Sequence, residues 1–433
     1  MTTAQLYQVY LKNPTICTDT RKITDSCLFF ALKGDNFNGN KFALQAIESG
    51  AAFAIVDQSE YAIDNRIILV SDVLESLQDL ARLHREHLKI PIIAITGSNG
   101  KTTSKELLNS VLSQKFKTFA TEGNLNNHIG VPLSLLSVSL DCEIAIIEMG
   151  ANHQKEIAFL CSLAQPSHGM ITNVGKAHLE GFGGIEGVKI GKGELYQYLS
   201  EHDGIAFINN ENSILKSMAQ ERGIKNIISY GKEDSNFLAI NLIKPSPFLS
   251  VEWTLKEEEK QVANSNLPGI YNFENIASAI CIGAFFQLSP EQINKGISDY
   301  KPLNYRSQIL QTQKNTIICD YYNANPSSMV VALENLEDTA AESKALILGD
   351  MFELGEESAI EHQLILEKAL TTKADRRILI GEEFFKLNGA QGAEFYKNTA
   401  EAEEALSANP IEQTTTLLKG SRGMKLEILL RLL

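Results

Sequence analysis

The sequence predicts an α/β protein of three domains. Its 433 residues call for two to four domains at roughly 100–200 residues each. A hydrophobic share of 44% with 21% charged residues lets each domain bury a core. Apolar strand-like runs alternate with helical stretches, once in a central stretch and again near the end. We divide the chain into residues 1–85, 86–301 and 302–433: a small α/β domain, a central doubly wound domain and a second Rossmann-like domain.

In the first part, "CLFFAL" and "AAFAIV" read as strands, and "NKFALQAIESG" between them reads as a helix stopped by Gly50. The central part opens on "KIPIIAIT", a continuous apolar run of the kind found in buried parallel strands. A glycine-containing turn and the helical "KELLNSVLSQ" follow, then strands at "EIAIIEM" and "GMITNV". "KEEEK" around Glu257 reads as a solvated turn between strands. In the last part the strands are "NTIICD", "KALILGD", "RRILIG" and "TTTLLKG", with helices at "SSMVVALENL" and "SAIEHQLILEKAL". Pro326 suits the first turn of the former helix, with Asn325 as its cap.

The net charge of −14 argues against general binding to nucleic acid or a membrane surface, both anionic. The six cysteines form no C-x-x-C pair and read as buried free thiols of a reducing compartment. The N-terminus carries no signal-like apolar core, and no run reaches the 18 or so apolar residues of a membrane span. The expected location is cytoplasmic.

A buried strand leading into Gly97-Ser98-Asn99-Gly100-Lys101-Thr102-Thr103, with a helix directly after, is the context a phosphate cradle needs. Glycines let the backbone turn its N–H groups toward phosphate oxygens, and the helix presents its positive end to the same anion. Lys101 adds a point charge, and Thr102 or Thr103 offers a hydroxyl to Mg2+. The loop is a short form, with Ile95 where the longer motif has its distal glycine. Taken alone it leaves ATPase and kinase readings open. Glu148, ending its strand at the ligand-binding edge of such a sheet, is a candidate Mg2+ ligand. His178 follows the strand "MITNV", whereas His153 and His168 read as structural.

Beyond the loop, "EGNLNNHIGVPLSLL", "EMGANHQKEI", "TNVGKAHLEGFGGIEGVKIGKGEL", "LPGIYNFENIASAI", "CDYYNANPSSM", "LGDMFELGEES" and "KGSRGMKLE" occur in order along nearly the whole chain. Together they resemble the Mur ligase family, ATP-dependent amide-forming ligases of peptidoglycan precursor synthesis. "EMGANHQKEI", "DYYNANPSSM" and "GDMFELG" are most similar to members acting on UDP-N-acetylmuramoyl-tripeptide and D-alanyl-D-alanine. Members adding other residues, and folylpolyglutamate synthases, match these segments less well.

The resemblance implies roles residue by residue. Lys101, Thr102 and Thr103 would hold ATP phosphates and one Mg2+. Glu148 would bind Mg2+, and His178 would be a ligand of a second ion. Lys192 would carry a CO2-derived carbamate, an anionic oxygen ligand that Mg2+ prefers to an ammonium. Lys189 is its rival in sequence, and register with Glu186 and Glu194 favours Lys192. Asn272 and Asn275 would read the adenine. Arg306 would reach the ATP phosphates from the third domain, with Asp320, Tyr322, Asn323 and Asn325 beside it. Lys419 and Arg422 match a C-terminal motif without an assigned role. The first domain would bind the uridine nucleotide through Thr18, Asp19, Thr20, Arg21, Lys33 and Gly34. Asn126, Asn127 and His128 would meet the muramoyl peptide. Asn40, Cys319 and Tyr321 depart from the family's usual residues. The implied protein is a monomer whose third domain closes on the nucleotide.

Overall fold

The computed structural model describes residues 1–256, 258–303 and 305–433. Glu257, the first glutamate of the acidic run, lies outside the described residues.

The first sheet is four-stranded and parallel, in the order Ile16–Cys17, Leu28–Phe30, Phe53–Val56, Ile67–Leu69. Between its second and third strands, helix Ala43–Glu48 runs out into Gly50, whose φ of 109° is a left-handed stop. Helix Val73–His87 is capped by Asp72, whose carboxylate accepts from Glu75 N (2.8 Å). It buries Val73, Leu77, Leu80, Ala81 and His84, a helical stripe that packs into a core shared with Val131 and Leu135 of the next domain. Arg85 ties this end down by donating to Leu88 O (2.5 Å), Ala164 O (2.8 Å) and Gln165 O (3.0 Å). One guanidinium thus serves the carbonyl ends of two helices.

The central sheet has nine strands. Thr118–Ala120, Ile144–Glu148, Ile92–Thr96, His168–Ile171, Ile205–Asn209, Asn226–Gly231 and Leu238–Lys244 are mutually parallel. Ser250–Leu255 and Gln261–Asn264, the strands on either side of the "KEEEK" run, then continue the sheet antiparallel. Helices Lys101–Leu112, Phe273–Phe285 and Pro290–Asp299 cover one face with Leu107, Leu108, Ile276, Ile280 and Ile293. Helices Gly130–Leu136, Glu156–Ala164 and Ile185–Glu201 cover the other. Both faces being buried explains why the inner strands read as unbroken apolar runs.

The third sheet runs Gln308–Gln311, Thr316–Cys319, Thr415–Lys419, Lys344–Gly349, Arg376–Ile380, Glu394–Tyr396, parallel except at its first strand. Pro326 opens helix Pro326–Asp338, and Asn325 caps it reciprocally with Ser328. Tyr321 is buried in this domain's core and stacks on Tyr305 at 5.0 Å. All six cysteines are free and buried. No helix among the described residues is long and apolar enough to cross a membrane.

Candidate active site

Strand register assembles the site. Ile92–Thr96 is where the winding reverses, so its carboxyl edge opens a crevice. Pairing of Ile95 with Glu148 and of Thr96 with Ile171 brings the phosphate loop, Glu148 and Asn173 to that edge. A cavity of about 1180 Å³ lies there, between the central and third domains.

Gly97 has φ 145°, and a Cβ there would stand 1.9 Å from Thr172 Oγ1, so no other residue fits the turn. Gly100, at φ 80°, begins helix Lys101–Leu112, and its Cβ would meet Asn275 Oδ1 at 2.8 Å. Ser98 N donates to Asn173 O (3.0 Å) and Asn99 N to Asn173 Oδ1 (3.0 Å), pinning the loop to the next strand's end. Lys101 Nζ donates to Gly97 O (2.8 Å). Burial pushes the Lys101 amine below its ordinary range, and Glu148 works against that. Asn275 Oδ1 accepts from Ser104 Oγ (2.9 Å), and Asn275 Nδ2 donates to Asn272 Oδ1 (2.8 Å). The asparagine pair therefore stands directly behind the phosphate loop.

Glu148 is 1% exposed. Its Oε1 accepts from Asn126 Nδ2 (2.8 Å), while its buried Oε2 has no hydrogen-bond partner among the described residues. A hard anionic oxygen left unpaired beside a phosphate cradle fits Mg2+, which takes one or two carboxylates and completes its shell with phosphate and water. Thr102 lines the same cavity. Among the described residues no group of three or more His, Cys, Asp or Glu forms a metal cluster, so protein carboxylates alone build no all-protein cage. Lys192 is 1% exposed and lies just behind the cavity wall, with Nζ donating to Ala151 O (3.1 Å) and 5.0 Å from the Phe182 ring. Burial, with Lys101 adding to it, pushes its amine well below the ordinary lysine range. Lys189 instead makes a surface pair with Glu186 at 2.6 Å. Glu194 accepts from Lys155 N (2.5 Å) and Ala158 N (2.9 Å), clamping the loop that carries Ala151.

The third domain supplies the opposite wall. Arg306 lies 3.7 Å over the Tyr322 ring, and Arg422 donates to Tyr322 Oη (3.2 Å). Buried Lys419 donates to Asp320 Oδ2 (2.6 Å) and Asn323 O (3.3 Å), which gives this lysine a role: it holds the Asp320–Asn323 turn. Asn325 Nδ2 donates to Asn99 Oδ1 (2.8 Å), so the helix cap also touches the phosphate loop. His178 lines the cavity and is hydrogen-bonded to Glu353.

The cavity lining includes Ser98, Asn99, Gly100, Thr103, Asn272, Asn275, Arg306, Asp320, Tyr322, Asn323, Asn126, Asn127 and His128. Asn127 Oδ1 accepts from Ile129 N (3.1 Å) and Gly130 N (2.8 Å), so that side chain shapes its own turn. Thr18, Asp19, Thr20, Arg21, Lys33 and Gly34 do not line the cavity; they belong to the first domain. Arg21 pairs with Asp19 at 2.7 Å, and Lys33 pairs with Asp57 at 2.9 Å. Asn40, fully buried, donates to Asp57 Oδ1 (3.0 Å) and accepts from Asp57 N (2.9 Å), which accounts for an asparagine at that position. His168 stacks on Phe207 inside the core, and His153 pairs with Glu156 on the surface.

Sequence reasoning missed Lys105, Lys176, Glu353 and Glu361. Lys105 is buried, one helical turn beyond Lys101, and donates to Thr121 O (2.5 Å). Thr121 Oγ1 in turn accepts from Glu148 N (3.0 Å). The i+4 spacing from Lys101 was the available signal for Lys105. Lys176 and Glu353 sit inside "TNVGKAHLEGFGGIEGVKIGKGEL" and "LGDMFELGEES", which was their signal, whereas Glu361 acts across domains and leaves no local trace.

A phosphate loop on a doubly wound sheet, a buried carboxylate with one oxygen unpaired and a second α/β domain closing the cavity define a nucleotide-dependent enzyme. Comparison with known proteins makes the class specific. The Mur ligase family catalytic domain matches residues 15–85, the Mur ligase middle domain 95–283, and the Mur ligase glutamate ligase domain 305–422. The UDP-N-acetylmuramoyl-tripeptide–D-alanyl-D-alanine ligase of Escherichia coli K12 is 35% identical, over 96% of this chain and 93% of the relative. That of Bacillus subtilis 168 is 34% identical, over 95% and 91%. A crystal structure of MurF from Acinetobacter baumannii superimposes with TM-score 0.87 at 29% identity, over 99% and 98% of the two chains. MurF of Thermotoga maritima in complex with ADP gives 0.84 at 25% identity, over 98% and 97%. The chain belongs to the Mur ligase family and is an ATP-dependent ligase that forms carbon–nitrogen bonds.

Proposed function

We propose that this ligase joins D-alanyl-D-alanine to UDP-N-acetylmuramoyl-tripeptide, giving the pentapeptide precursor of peptidoglycan. The reading is supported by the near full-length likeness to ligases of that name. The observation that carries the chemistry is the buried, unpaired Glu148 Oε2 at the edge that holds the phosphate loop.

The tripeptide carboxylate attacks the γ-phosphorus, and the bond from that phosphorus to ADP breaks as the acyl phosphate forms. Two anions must approach, so Lys101, Arg306 and the loop N–H groups lower the repulsion. The dipeptide amine then attacks the acyl carbon, and phosphate departs from the tetrahedral intermediate. Two Mg2+ ions would be held by Thr102 and Glu148, and by His178 and a carbamate on Lys192; bound there, they would supply positive charge to the phosphoryl oxygens. The carbamate reading is supported by the burial of the Lys192 amine, whose hydrogen bond goes to a backbone carbonyl, Ala151 O. Asn272 and Asn275 serve the nucleotide, and the Thr18–Arg21 segment with Lys33 and Gly34 serves the uridine end. Asn126 and His128 face the peptide. The enzyme works as a monomer in the cytoplasm, a setting its six free thiols suit.

The test is purified protein with ATP, Mg2+, a lysine- or diaminopimelate-containing UDP-muramoyl-tripeptide and D-alanyl-D-alanine, read by product mass. We expect one dipeptide added and phosphate release that depends on it. Release stimulated instead by glutamate, lysine or diaminopimelate would assign the chain to another member reaction.

A further inference from the structure

The segment 175–182, a turn and the short helix Leu179–Phe182 that join strand His168–Ile171 to the helix carrying Lys192, is gripped by the third domain at alternate residues. Lys176 N donates to Ser327 Oγ (2.9 Å), and Lys176 Nζ to the buried Glu361 Oε1 (2.5 Å). His178 bonds to Glu353 Oε2 through Nδ1, and Glu180 packs on Gly355, whose Cβ would lie 3.2 Å away. His178 and Glu353 are both left-handed without being glycine, at φ 53° and 63°. Such conformations persist where the surroundings over-determine them.

A carboxylate only accepts, so in the neutral imidazole the hydrogen of His178 sits on Nδ1 and the lone pair on Nε2. Nε2 has no partner among the described residues, and the imidazole lines the cavity. Glu353 lies in the adjoining depression, outside the cavity. A metal-binding histidine is typically oriented through its other ring nitrogen by such a carboxylate. We propose that Glu353 is a positioning residue that aims His178 Nε2 at the second metal position, so that this position is complete only while the third domain is docked. The proposal rests on the two-metal reading above. Glu353 is half-exposed, its side chain 55% accessible, so its bond adds little to docking itself. Ser327 and Glu361 hold the domains together without it.

The probe is Mn2+ with ADP, titrated into the full chain and counted by electron paramagnetic resonance, with small-angle scattering on the same samples. We expect two Mn2+ per chain in the wild type. Glu353→Gln and Glu353→Ala should weaken the second by about 10–100-fold, spare the first and leave the scattering profile unchanged. His178→Asn should lose the same ion, and the double variant should lose no more. Unaltered binding in Glu353→Ala, with His178→Asn defective, would overturn the role of Glu353 and leave the two-metal reading standing. A single Mn2+ in the wild type, unaffected by His178→Asn, would sink that reading and this proposal with it. An expanded Glu353→Ala particle would make Glu353 an interdomain clamp instead, which also overturns the proposal.

Discussion

Replacing Glu148 by Gln changes one thing at constant shape. Asn126 Nδ2 still finds an oxygen to donate to, as it does now at 2.8 Å. The unpaired buried Oε2 becomes an amide N–H2, and a negative charge near Lys101 and Lys105 disappears. The N–H2 inherits the unpaired position, but the cost of burying a charge disappears and offsets the lost attraction to the two lysines. The stability of the free protein should therefore move by less than about 1 kcal/mol. Binding of Mg2+ with a non-hydrolysable ATP analogue should suffer instead. At a hundred times Kd the ligand stabilises the wild type by about 2.7 kcal/mol, which raises Tm by roughly 5–11 °C at 2–4 °C per kcal/mol for a domain of this size. Loss of one charge-assisted contact is worth about 2–3 kcal/mol, or roughly a hundredfold in Kd. The same ligand concentration would then stabilise Glu148→Gln by only about 0.4 kcal/mol, a Tm shift of about 1–2 °C. Calorimetric melts with and without ligand read both quantities. A full ligand-induced shift in Glu148→Gln would refute the assignment of the orphaned oxygen to a cation.

Three further outcomes are expected. Lys192→Ala should abolish most ligase activity, and short carboxylic acids entering the space left by the side chain should restore part of it; full activity without them would remove Lys192 from the site. Asn325→Ala loses both the helix cap and the contact with Asn99, so chemical denaturation should show about 1 kcal/mol of destabilisation and steady-state kinetics a raised KM for ATP. Burial alone would raise the Asp57 carboxyl, but hydrogen bonds from Lys33, Asn40 and Val73 N overcome it and hold the group below its ordinary value. A depressed folded-state pKa contributes stability that is present above the unfolded value near 4 and lost as pH falls through the folded one. Tm should therefore fall with pH below about 4, less steeply in Lys33→Met; an equal slope in the variant would discount the ion pair.

Much of the site was legible because its parts are local. The phosphate loop announces itself as a buried strand, two glycines with positive φ, and a helix. Glu148 marks the end of an apolar run, and Asn325-Pro326 writes a helix start into two adjacent residues. The choice of Lys192 over Lys189 leaned on resemblance, and the structure separates them by burial, one inside a helix face and one on a surface pair.

The alternation of strands and helices, several of the turns and the chemistry available at the strand ends are written in the order of residues along the chain. These follow from periodicity and from backbone preferences that act over a few residues. Tertiary structure alone decided which residues meet. The pairing of Ile95 with Glu148, the Lys105–Thr121–Glu148 chain and the grip of Glu353 and Glu361 on the His178 loop join residues tens to hundreds of positions apart. Such contacts are set by sheet register and by how two separate cores dock, and neither is encoded in any short stretch of chain. The first-domain candidates show the same limit. Lys33 carries a charge suited to an anionic ligand, yet its partner in the fold is Asp57, reached only once the strand Phe53–Val56 has paired beside Leu28–Phe30.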